Sequence, residues 1–206
     1  MAFSYISLRR TIPAGVLAYL AQFAVAFALL GSRVGTALQS IQVEMEYGDA
    51  DAFTTFVDGS IPTWKAVGWF LHSAHNAKLV APLPDFGTTL TLNLVSRTGG
   101  QFQLLYLLPP IALVAAGFLV ARTSTTYGAR GEQYTGASVA LGYVPCCIVG
   151  GLLFTVGRPA IGPSLLQSIL YAGIGYPVVF GYLGGFAARW TAESSGETTS
   201  IGGETN

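Results

Sequence analysis

The chain has 206 residues, 51% of them hydrophobic and only 10% charged, and its acidic and basic residues cancel to a formal net charge of zero. A soluble domain carries about 25% charged residues, so this composition excludes an ordinary water-clad globule unless lipid covers much of the surface. Zero net charge also excludes the broad basic face that nucleic-acid binding needs.

Residues 1–31 form an N-terminal tail and the first of four apolar stretches, about Ile12 to Gly31. The others run from about Phe102 to Ala121, Thr135 to Val156 and Ser164 to Ala188, and none of the four contains Asp, Glu, Lys, Arg or His. A hydrocarbon core of about 30 Å takes about 20 helical residues at 1.5 Å each, so each stretch predicts a membrane span. Gly35-Thr36-Ala37 would pass as a signal-peptide cleavage site. The apolar run before it is longer than the usual h-region of about 7–15 residues, which favours a retained span.

Residues 32–101 are the one segment long enough for a water-facing unit. Within it, Ile61 to Val80 reads as an amphipathic helix opened by Pro62, with Trp64, Val67, Phe70, Leu71 and Ala74 on one face. Trp64 and Trp69 favour the headgroup zone, so this helix is expected to lie on the membrane surface. Thr88 to Val95 alternates with period two and reads as a strand, with a partner expected around Ile41 to Met45. Gly99-Gly100 marks a turn into the second span, where Pro109 and Pro110 kink the helix or end a preceding turn.

The third and fourth spans form a hairpin across the short turn 157–163, and Ser164 is placed to cap the fourth helix. Ser138, Gly142, Cys146 and Gly150 recur every four residues in the third span, as do Gly173, Pro177, Gly181 and Gly185 in the fourth. Small residues at this spacing let helix backbones approach closely, and the two stripes are expected to face each other. Cys146 and Cys147 are adjacent, have no third cysteine to pair with, and read as core residues. Residues 102–188 thus form a three-span bundle with its final span at 164–188, and residues 189–206, rich in Ser, Thr, Gly and Glu, read as a disordered cytoplasmic tail.

The fold class expected is an all-α membrane protein of four transmembrane helices, with an outward α+β segment between the first and second. Arg9, Arg10, Arg122, Arg130 and Arg189 fall on one side; on the other, the short turn holds Arg158, and Arg33, Lys65, Lys78 and Arg97 lie in the long segment, which translocates largely regardless of charge. By the positive-inside rule this predicts a multi-pass cell-membrane protein with both termini cytoplasmic.

Candidate chemistry is sparse. His72 and His75 are the only histidines. Being three apart, they share a helical face, where a carboxylate such as Asp58 or Asp85 would complete a weak metal set. Hydrogen bonding at the interface is the plainer reading, and no cofactor or bound metal is expected. The sequence holds no Gly-x-Ser-x-Gly elbow and no P-loop. Gln22 is the clearest polar residue at depth in the first span.

Trp64-Lys65-Ala66-Val67-Gly68-Trp69, followed by Ala74-His75, and Leu105-Tyr106 before Pro109-Pro110 carry a resemblance. The chain is similar to an uncharacterised family of small membrane proteins from halophilic archaea, in which this block lies outward of the first span. The position before Ala74, often Asn in such blocks, is Ser73 here. The resemblance implies an interface block of Trp64, Lys65, Gly68, Trp69 and His75, and some members bear a transporter label.

The role expected is a non-enzymatic structural or assembly subunit, partnered by the lipid bilayer and by another membrane protein or a second copy. The alternative is a small transporter or channel subunit with a pathway near Gln22, Tyr143 and Pro145. The lack of ionisable residues in the spans weighs against coupled transport.

Overall fold

The computed structural model describes residues 8–38, 61–83, 87–123 and 131–197. It is mostly helical, with four helices long and apolar enough to cross a membrane: Arg9–Leu30, Gly100–Thr123, Tyr134–Leu153 and Leu165–Thr191. A small antiparallel sheet completes it.

The long helices are apolar on their outward and packed faces alike, the pattern of a helix that lies in a large core or in lipid. Leu17, Ile111, Leu152, Val179 and Phe186 all project outward from the bundle. The second helix begins as a 3₁₀ turn, Gly100–Leu107, and becomes α-helical at Leu108–Thr123, with Pro109 in its opening turn. There the missing N–H costs no intrahelical bond. Gly99 before it and Gly100 at its first position have φ of 66° and 53°, a left-handed pair that a side chain would disfavour. Pro145 sits inside the unbroken α-helix Ala140–Leu153.

The fourth helix changes pitch along its length. Ser164 caps it by accepting from the Gln167 N–H. A π-helical stretch, Ser168–Gly175, then leads into the α-helix Tyr176–Glu197. Pro177 has no N–H to return to the carbonyl four residues earlier, and the wide turns lie immediately before it. The helix continues to Glu197, so residues 189–197 are helical where a disordered tail was expected; residues 198–206 lie outside the described residues.

The helix predicted over 61–80 is shorter and lies elsewhere. It runs from Thr63 to Ala74, and Ala66 to Ala74 are all buried. It is therefore packed inside the protein and does not lie on a surface. Its end is a Schellman motif: Asn76 N–H donates to the Ser73 carbonyl and Ala77 N–H to that of His72. Asn76 takes the left-handed conformation this requires, with φ 61°. Asn is one of the few non-glycine residues that adopt it readily.

That turn sends the chain back out as β1 (Leu79–Leu83), which pairs with β2 (Thr88–Leu92) and with the two-residue β3 (Gly162–Pro163). The sheet order is β2-β1-β3, with Leu79 opposite both Leu92 and Pro163. Thr88–Leu92 is thus a strand as predicted, but its partner is β1; Ile41 to Met45 lies outside the described residues. Leu94 and Val95, assigned to the strand by periodicity, belong instead to a short helix capped by Asn93, whose side chain accepts from the Ser96 N–H.

Two apolar clusters share this architecture. One gathers Trp69, Phe70, Leu79, Leu94, Val95 and Phe102 around the C-terminal turns of the first helix. The other gathers Tyr19, Leu71, Leu113, Tyr143 and Cys147 between the long helices.

Candidate site: a buried histidine–tyrosine cluster

Helix Thr63–Ala74 is wedged among the first, third and fourth long helices. Gly68 makes this possible, because a β-carbon there would collide with the ring of Phe154. Trp69 lies beside it with its indole N–H donated to the Phe154 carbonyl at 2.7 Å. Lys65 donates to the Thr155 carbonyl at 2.8 Å and holds its ammonium 5.4 Å from the centre of the Trp64 ring. Trp64 itself is 40% exposed and meets Phe154 edge-on. The block Trp64, Lys65, Gly68 and Trp69 therefore clasps the end of the third long helix within the same chain.

The far end of the wedge carries the two histidines, both 1% exposed. His72 Nε2 is 3.1 Å from the Tyr19 hydroxyl and its Nδ1 is 2.8 Å from Ser168 Oγ. Either neutral tautomer closes this chain, because the hydroxyls of Tyr19 and Ser168 can each donate or accept. His75 has its Nδ1 2.8 Å from the Leu71 carbonyl and its Nε2 2.7 Å from the Tyr143 hydroxyl. Tyr143 in turn lies 2.9 Å from Gln22 Oε1, while Gln22 Nε2 is buried without a partner. The rings of Tyr19 and Tyr143 meet edge-to-face at 5.3 Å, so the two chains touch. Tyr19 and Tyr143 stand near the middle of their long helices, and the wedge delivers imidazoles to that depth.

Burial governs the electrostatics. Removal from water pushes His72 down to about 3, with His75 adding a smaller repulsion. The same effect pushes His75 down to about 4, opposed by its bond to the Leu71 carbonyl. Both are neutral at neutral pH, as uncompensated charge in such a place is costly.

Beside the wedge, a groove of about 470 Å³ is lined by Asn76, Tyr171, Gly175, Tyr176, Val179 and Phe180. Asn76 donates to the Tyr176 hydroxyl at 2.9 Å, and the Tyr176 ring packs at 5.1 Å on that of His75. One aromatic ring thus separates the groove from the histidine.

Among the described residues no group of three or more His, Cys, Asp or Glu side chains could hold a metal. Asp58 and Asp85, named as completing ligands, lie outside the described residues. The four imidazole nitrogens are engaged in separate hydrogen-bond chains instead.

The small-residue stripes do not face each other as expected. A β-carbon at Gly142 would strike the Ile12 carbonyl, and one at Gly150 the Tyr19 hydroxyl, so this edge of the third helix meets the first. Gly181 meets Gly117 and Gly136, and Gly136 also meets Gly185. Gly136 lies in the third long helix but outside its stripe, and Gly173 approaches that helix at Val144, also outside the stripe. Ser138 bonds back to the Thr135 carbonyl, Cys146 is half-buried, and Pro177 follows the wide-turned stretch.

Sequence reasoning grouped Gln22 with Tyr143 and His72 with His75 but did not join the two pairs, and gave no role to Ser168 or Phe154. The available signal was Asn76, a left-handed helix stop that ends the helix just after the histidines and turns the chain back. Comparison with known proteins found no matching curated protein and no matching solved structure. The sequence matches the Family of unknown function (DUF7978) over residues 4–192, nearly its whole length, and the chain belongs to that family.

Proposed function

We propose that the protein is a multi-pass membrane protein with a non-enzymatic structural role, a subunit that scaffolds a membrane assembly. The observation that carries this reading is the wedge. A helix from the segment between the first two long helices is buried among the others, with all four imidazole nitrogens hydrogen-bonded inside the chain. Interhelical hydrogen bonds of this kind hold apolar helices together where lipid offers no alternative partner. Such an arrangement fixes the sheet and adjoining residues at one end of the bundle as a rigid face for a membrane-protein partner or a second copy.

Membrane insertion is supported by the four apolar helices and by the large side chains on their outer faces. Arg10 donates to the Thr123 carbonyl, so the basic ends of the first two helices lie together, and we place them on the cytoplasmic side with both termini.

A second reading, a small transporter or channel subunit, gains from the meeting of Gln22, Tyr143 and His75 at mid-helix depth, since buried ionisable groups mark pathways in many transporters. One experiment separates the two. The protein is purified from native membranes in mild detergent, its companions are identified, and it is then reconstituted alone. A stoichiometric companion and no solute flux support the scaffold. Flux by the lone chain that disappears in Gln22→Leu replaces it with the transporter.

A further inference from the structure

The hydrogens of the Gln22–Tyr143–His75 chain are over-assigned, and the ways of balancing them are informative. The Leu71 carbonyl can only accept, so His75 must carry a proton on Nδ1. In neutral His75, Nε2 is then bare and takes the single Tyr143 hydroxyl proton. Tyr143 has nothing left to give Gln22, so the amide must turn its NH₂ group to the tyrosine oxygen. The alternative leaves the amide oxygen facing Tyr143, as the geometry has it. Tyr143 then donates to Gln22, and His75 must donate to Tyr143 from a second, protonated nitrogen. The two arrangements differ by one proton on His75, a rotated hydroxyl and a flipped amide. Each keeps every contact in the chain, and each leaves one Gln22 amide atom without a partner, as the orphaned Nε2 records.

We propose that the Gln22–Tyr143–His75 chain is a proton-binding site within the bundle, at which His75 takes up a proton reversibly while the helices stay packed. One proton comes from the aqueous phase and forms the Nε2–H bond. Tyr143 reverses its donation from His75 to Gln22, and the positive charge stays on the imidazole. The groups facing His75 are His72 and the Leu71 carbonyl from its own helix, Tyr143 from the third long helix, and Tyr176 from the fourth. Gln22 of the first helix stands behind Tyr143. Lys65, the basic residue of the same helix, is bonded to Thr155 at its other end. Neither role proposed above is needed for this inference, which concerns the protonation of one side chain.

The test uses the full-length protein labelled with ¹⁵N-histidine in detergent micelles. With two histidines in the chain, the ring nitrogens can be followed individually, and His75→Gln assigns them. At neutral pH the His75 signals should show the proton on Nδ1 and a bare Nε2. On acidification Nε2 should gain a proton while tryptophan fluorescence still reports a folded protein. Gln22→Leu, which removes the acceptor for the reversed tyrosine, should move that titration about one pH unit lower. A neutral His75 carrying its proton on Nε2 would overturn the proposal. Unfolding before His75 protonates, or a folded Gln22→Leu protein with an unmoved titration, would do the same. Should Gln22→Leu not fold, the tautomer and titration of the unaltered protein decide alone.

Discussion

The two halves of the bundle are joined by opposite means. Around the wedge, helices meet through polar side chains: Tyr19, His72 and Ser168 in one chain, Gln22, Tyr143 and His75 in the other. Where the second and fourth long helices meet helix Gly131–Ala137, they meet through glycines, with Gly117, Gly136, Gly181 and Gly184 set against bare backbone. Both devices suit apolar helices, which in lipid would have no hydrophobic reason to associate. They differ in tolerance. A hydrogen-bonded seam can lose one bond and relax, whereas a backbone-to-backbone seam has no flexible side chain to yield.

Gly136→Val should therefore have the largest effect of any single change considered. Its β-carbon would strike the Gly181 carbonyl and come within 2.9 Å of the Gly185 nitrogen. The cost should exceed the ~1–3 kcal/mol of an ordinary over-packed core, and the folded bundle should be lost. Gly35→Ala, where a β-carbon meets nothing within 4 Å, is the control. Size-exclusion profiles and thermal melts in detergent compare them. Similar behaviour of the two variants would mean that the glycine seam is not what joins this half.

Trp69→Ala should come next and tests the wedge half. It removes a side chain that is 1% exposed together with its bond to the Phe154 carbonyl. Loss of a buried tryptophan costs about 3–5 kcal/mol. Trp64→Ala, at a 40% exposed position, should lower the melting temperature much less. Equal losses would mean that the two tryptophans serve one outward surface, as the sequence suggested, and that the packing of Trp69 matters little.

This contrast shows what was legible in the sequence. The four long helices were, because about 20 apolar residues without a charge have few alternatives. The Ser164 cap, the turn at Gly99-Gly100 and the strand at Thr88–Leu92 were legible for similarly local reasons. The wedge was not. An amphipathic pattern such as Trp64, Val67, Phe70, Leu71 and Ala74 reports an apolar face without saying whether lipid or protein covers it, and here Gly68 and Trp69 on other faces are buried too. The partners of the small-residue stripes were illegible for the same reason: spacing fixes which residues share a face but leaves the neighbour open. Nor do charge-free helices report every group that lies at their depth. Ionisable groups can reach the middle of the bundle from a segment that does not cross it, as His72 and His75 do.

Acid should separate the halves by a smaller and graded effect. In the unfolded chain a histidine titrates near 6.5, whereas burial holds His72 at about 3 and His75 at about 4 in the fold. Between those values the unfolded state binds more protons than the folded one, so the contribution is present in full above about pH 6.5 and is lost as pH falls toward the folded values. Each histidine should contribute a slope of about 1.4 kcal/mol per pH unit there. The glycine seam, with no titrating group among its contacts, should contribute none. Melting temperatures between pH 8 and pH 4 for the unaltered protein and for His72→Gln with His75→Gln should give parallel curves above pH 7, the doubly substituted protein lower throughout. Below about pH 6.5 the curves should converge, because only the unaltered protein has buried imidazoles to charge. Curves that stay parallel to pH 4 would place the acid sensitivity outside this cluster, and would mean that the wedge is held by packing at Trp69 and Phe70 more than by its histidines.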